Sequence, residues 1–195
     1  MSNLLETVIE AHGELQRWRE LDAVSARLVQ GGALWRVKGQ RGVLDRLPVY
    51  VRASLHQEWE SHHPFGAAGL RSAFTPERAA IETTNGEVFE ALERPRASFA
   101  GHTLETPWTT LQLAYFVGYT MWTYLTQPFI FARPGFETTE LDPWHEAGEE
   151  WRRLRVVCPS YLATHSTEQT LYVGPDGLFR RHDYKLDITS MWSIR

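Results

Sequence analysis

Apolar positions open the chain at helical spacing. Leu5, Val8, Ile9 and His12 recur three or four residues apart and Gly13 follows as a natural stop, which predicts a helix from Asn3 to His12. A short turn over "ELQRWREL" then sets Leu15, Trp18 and Leu21 on one side. From Asp22 the pattern changes to a period of two. "AVSARLVQGGALWRVKG" surrounds Gly31 and Gly32 with valine and leucine and predicts a long strand with a bulge, or a hairpin. Val49, Val51, Ala53 and Leu55 alternate with Tyr50, Arg52, Ser54 and His56 along a further strand. Asn85-Gly86 stands between two apolar stretches as a hairpin signal.

The pattern shifts again at Trp108. The run to Phe131 carries no charge, yet threonines, glutamines and Pro128 interrupt it and its apolar residues are mainly aromatic, so it reads as a buried helix and not as a stable membrane insertion. Thr106 and Pro107 suit an N-cap and first helical residue, and Pro128 suits a stop. "EEWRRLRVVCP" and "EQTLYVGPDGLFRRHDYKLDI" return to strands, the second closing on "GPDG". The arginines of the first alternate with Trp151, Leu154 and Val156, the pattern of a strand with a solvated face. Successive strands on short turns imply an antiparallel sheet. The predicted class is therefore α+β: a curved antiparallel sheet, an incomplete β-barrel, covered by an N-terminal helix and a central aromatic helix in one domain over residues 1–195.

Composition narrows the function. A formal charge of −4 argues against a nucleic-acid surface, which needs a clustered basic face. The single cysteine, Cys158, excludes an internal disulfide and reads as a small buried residue. The opening "MSNLLETVIEAHGEL" carries glutamates and no long apolar core, so no secretory signal is expected and a cytoplasmic location is. Eight tryptophans, seven tyrosines and nine phenylalanines suggest that something large and flat is enclosed.

"EAHGELQRWREL", "FTPERAAIE", "PRASFAGHTLETPW", "YFVGYTMWTYLTQPF", "GEEWRRLRV" and "ATHSTEQTLYVGPDGLFRRHDYKLDI" resemble a group of uncharacterised bacterial proteins. The opening helix, the "AHG" turn, "RW" and the strand that follows also resemble the start of the lipoprotein-carrier superfamily. That resemblance implies an incomplete antiparallel barrel with helices over an apolar cavity. The carriers are exported, which this N-terminus does not match. The similar bacterial proteins continue after "HDY" with further strands, which implies a shortened last sheet edge, open to pairing with a second copy in a homodimer.

Candidate chemistry gathers on the last hairpin. Alternation sets Arg180, His182 and Tyr184 on one face and Asp183 on the other. If Val173 pairs with Leu178, His182 lies opposite Gln169 and His165 joins the same face. A three-residue turn with a bulge at Gly177 instead sets Thr170 opposite His182 and turns His165 outward. In the first register His165, Gln169, Arg180, His182 and Tyr184 line a cavity wall. There His182 would exchange protons and Tyr184 would polarise a carbonyl. His102, beside Glu105 and the helix start, is a further acid or base candidate.

Tyr115, Tyr119 and Trp122 form a stripe at i, i+4 and i+7 that suits either core or ligand lining. His62 and His63, or His145 with Glu146, Glu149 and Glu150, lack the spacing of a local metal site. The common nucleotide and hydrolase motifs are absent, so no cofactor is expected. Three functions fit: binding of an apolar, aromatic or lipid-like small molecule between sheet and helix; a cofactor-independent enzyme acting on such a molecule; or a structural, self-associating domain.

Overall fold

The first six strands each pair with their neighbours in sequence. β1 (Ala23–Leu28), β2 (Val49–Ser54), β3 (Glu60–His63), β4 (Leu70–Thr75), β5 (Arg78–Thr83) and β6 (Val88–Glu93) form one antiparallel sheet in chain order. The computed structural model describes residues 3–185, in two compact units. The six-stranded unit comprises residues 22–125. The other comprises residues 3–21 and 126–185 and holds a four-stranded antiparallel sheet.

In the six-stranded unit, Val49, Val51 and Ala53 are buried while Tyr50 and Arg52 are exposed, as their alternation requires. Asn85-Gly86 makes the β5–β6 turn, with Gly86 at φ 87° donating its N–H to the Thr83 carbonyl. The double glycine acts differently from the expected bulge. β1 ends at Leu28, and Gly32 (φ 139°) leads into a short helix, α3 (Ala33–Val37), that buries Trp35. The aromatic helix, α4, runs from Thr110 to Thr126 and not from Pro107. Thr109 sets its start: the Thr109 hydroxyl accepts from the Gln112 N–H at 3.2 Å and the Gln112 side-chain oxygen accepts from the Thr109 N–H at 2.9 Å. This reciprocal capping box outcompetes the Thr106-Pro107 pair. The Thr106 hydroxyl instead accepts from the Thr103 N–H, closing the preceding loop.

α4 packs directly on the sheet. Its Tyr115 and Tyr119 rings meet Phe74 of β4 at 5.6 and 6.4 Å, and the Trp122 indole N–H donates to the Ser54 carbonyl at 2.8 Å.

In the other unit, α1 (Asn3–Ala11) buries Leu4, Leu5, Val8 and Ile9, and Trp18 of α2 (Leu15–Arg19) stacks on Phe129 at 4.3 Å. The sheet has the order β10-β9-β8-β7, from β7 (Glu137–Glu146), β8 (Glu149–Val157), β9 (Glu168–Val173) and β10 (Phe179–Tyr184). β7 escapes the sequence pattern because Pro143 interrupts it. The proline sits in a register break between Leu141 and Trp144 on an edge strand, where a missing N–H is tolerated. On the solvated face, Arg153, Tyr172 and Arg181 stand opposite one another, and both arginines lie within 6 Å of the Trp144 ring. β10 is the other edge; the proposed shortened terminus after it falls outside the described residues.

The class is thus α+β, with open antiparallel sheets and α4 on one of them. The strands divide between two sheets where one was expected, because β7–β10 pair only among themselves. No helix among the described residues is long and apolar enough to cross a membrane.

Candidate functional site

The β9–β10 hairpin adopts neither simple register. Gly177, at φ 80°, closes the turn with its N–H on the Gly174 carbonyl, and the Gly174 N–H returns to the Leu178 carbonyl. This matches the three-residue turn with a glycine bulge, which alone would set His182 opposite Thr170. A second bulge between Phe179 and Arg181 then advances the strand by one residue, so His182 lies opposite Leu171 and Tyr184 opposite Gln169. The second bulge restores the inward facing that the first would have removed.

Four of the five strip residues therefore meet. The His182 Nε2 lies 2.8 Å from the Gln169 Oε1, and the Tyr184 ring packs edge-on to His165 at 4.5 Å and to His182 at 5.0 Å. Gln169 donates its amide to the Ser166 carbonyl at 3.1 Å, which turns its oxygen toward His182. His182 consequently carries its proton on Nε2 when neutral. His165 and Gln169 are buried, His182 is half-buried and Tyr184 is 41% exposed. Burial, helped by the neighbouring His182, pulls His165 down to about 4, and burial also lowers His182 against the pull of Asp183.

Arg180 leaves the strip. It is the bulged residue, and its guanidinium turns back over the turn to Asp176 at 2.9 Å. Tyr115, Tyr119 and Trp122 lie in the six-stranded unit, and the His165–Tyr184 cluster lies in the other. The three helix residues are 1–3% exposed and make the helix–sheet core.

His102 sits in a loop organised by Lys38. That lysine is 2% exposed and donates to the carbonyls of Thr103, Leu104 and Thr106 at 3.0, 2.7 and 3.2 Å, with its ammonium 4.9 Å from the Trp108 ring centre. Burial and the nearby Lys38 charge lower the His102 pKa. Glu105 bonds to the Thr103 hydroxyl. Cys158 is buried, accepts weakly from the Gln169 amide at 3.7 Å, and has its thiol pushed up to about 11 by burial. That environment opposes a nucleophilic role.

One polar pair was not read from the sequence as a unit. Glu60 and His62 of β3 pair with Ala53 and Val51 of β2, and Glu60 also stands opposite Phe74. Opposed residues share a face, so both project onto the side covered by α4. Both are 0% exposed, with His62 Nδ1 2.6 Å from Glu60 Oε1. Glu60 Oε2 and His62 Nε2 are buried without a hydrogen-bond partner. Desolvation raises the Glu60 pKa, and His62 works against that rise. The "ESHH" strand hides this because it has no apolar alternation, although all of Glu60, Ser61 and His62 are buried. His145 pairs with Glu150 at 3.0 Å on the surface, and no group of three or more His, Cys, Asp or Glu side chains converges among the described residues.

These features define an α+β protein with an aromatic helix laid on an open antiparallel sheet and a buried carboxylate–imidazole pair at that contact. No protein-family model matches the chain, and a search of curated proteins returns no match.

Proposed function

We propose that the protein binds an apolar, aromatic or lipid-like small molecule between α4 and the inner face of the six-stranded sheet, in the manner of carrier-like open barrels. The observation that carries this reading is the Glu60–His62 pair, whose outer atoms lack partners within an otherwise aromatic contact. Buried polar groups in proteins are almost always hydrogen-bonded, so polar atoms without partners at such a contact mark a place for a ligand group. Tyr115, Tyr119 and Trp122 supply flat apolar surface around it. Burial of that surface gives affinity, at roughly 25 cal/mol per Å².

The test is titration of the protein and its Trp122→Phe variant with a flat hydrophobic dye, followed by tryptophan fluorescence. A saturable, stoichiometric response that the variant diminishes supports binding at α4. No saturable response in the wild type sinks the reading.

A second reading is favoured by the graded exposure from His165 through His182 to Tyr184. An uncharged imidazole beside an exposed phenol suits acid–base chemistry on a bound carbonyl compound. His182→Gln would then leave binding intact and abolish turnover.

A further inference from the structure

The Glu60–His62 pair also specifies what kind of group it would meet. A net charge buried at 0% exposure costs several kcal/mol, which favours the overall neutral pair. Two neutral arrangements leave the outer carboxyl oxygen, Oε2, unprotonated. Either the carboxyl is protonated and donates to Nδ1, leaving a proton on Nε2, or the carboxylate accepts from Nδ1 of an imidazolium that again has a proton on Nε2. In both, Nε2 is a donor and Oε2 is an acceptor. The position of the shared proton across the 2.6 Å contact changes neither outer role.

The surroundings offer nothing else to those two atoms. His62 sends its backbone N–H to the Ser72 hydroxyl at 2.8 Å, and its cross-strand neighbour on β2 is Val51. Glu60 lies between Ala53 and Phe74. The complementary partner is a neutral group that both gives and accepts a hydrogen bond. A hydroxyl does this with one oxygen, and it adds no charge to a buried, apolar setting.

We propose that Glu60 and His62 form a recognition site for the hydroxyl group of an otherwise apolar ligand, with the hydroxyl donating to Glu60 Oε2 and accepting from His62 Nε2. This rests on the ligand-binding reading above and assigns the polar end of that ligand. Molecules of the same size without a hydroxyl leave both atoms stranded, and carboxylates bring a charge that the site disfavours.

The test pairs benzyl alcohol with toluene. Affinities for both are measured by calorimetry on the wild type and on a Glu60→Leu/His62→Leu double variant. That variant removes the polar atoms together, a change that buried ion pairs tolerate well. The alcohol is expected to lose roughly tenfold relative to toluene in the double variant, the worth of about one net hydrogen bond. On the wild type, benzyl alcohol and not toluene should move the His62 Nε2 resonance in a 15N spectrum, a readout that does not depend on the variant folding.

An unchanged affinity ratio, or a His62 resonance that ignores the alcohol, overturns the hydroxyl assignment while toluene binding keeps the wider reading alive. A long-lived water that stays on the pair at saturating alcohol does the same. Binding of neither compound overturns both.

Discussion

Gly118 of α4 lies against Phe74 of β4 so closely that a Cβ placed on the glycine would stand 2.3 Å from the phenylalanine Cβ. No other residue fits there without moving helix or strand. Alanine at position 118 would gain about 1 kcal/mol of helix propensity. The overlap costs more, and Gly118→Ala is expected to destabilise the protein by roughly 2 kcal/mol in urea unfolding followed by far-UV circular dichroism. A neutral or stabilising outcome would mean that α4 is not seated on the sheet at this point.

His165 predicts the acid side of the stability profile. Its folded pKa lies at about 4, below the ordinary 6.5, so the unfolded chain binds the proton first. Stability from this group is complete above pH 6.5 and is lost as the pH falls from 6.5 toward 4. The difference is worth on the order of 3 kcal/mol. His182, lowered in the same direction, adds to the slope. In His165→Gln, the midpoint of chemical denaturation should fall less between pH 7 and pH 4.5 than in the wild type.

The Lys38 ammonium is a second point of sensitivity. Lys38→Met keeps the unbranched stem of the side chain and removes the terminal donor shared by the carbonyls of Thr103, Leu104 and Thr106. A loss of roughly 3 kcal/mol is expected, typical of breaking a buried charged network. Amide exchange across residues 102–106 should quicken beyond the global effect. Unchanged exchange there would show that the loop holds its shape without the lysine.

At the start of α4, Thr109→Ala removes half of the capping box and should cost about 1 kcal/mol in thermal or denaturant unfolding. Thr106→Ala should leave the helix start intact, because that hydroxyl serves the preceding loop. If Thr106 were the cap, the two effects would be reversed.

Much of the fold follows from short-range pattern. Val49, Val51 and Ala53 alternate because one face of β2 is buried, and Asn85-Gly86 turns because glycine accepts a positive φ. α3 was hidden because "ALWRV" is too short for periodicity to outweigh the strand-like residues before it. β7 was hidden by Pro143, and the departure of Arg180 by a bulge that local pattern does not encode. The site shows the same division. His165, Gln169, His182 and Tyr184 converge as facing and register allow, whereas Glu60 and His62 look like solvated strand residues until cross-strand partners place them under a helix.

The burial of Cys158 gives the protein an internal clock. It is the chain's single cysteine, and its thiol is shielded and held at about 11, so reagents that attack thiolates meet almost none in the folded state. Modification must wait for the end of β8 to come apart. The rate at which a thiol reagent adds one label therefore counts the openings of the four-stranded unit under native conditions, without an engineered probe. Residues that steady this sheet, Gln169 among them, would set the pace.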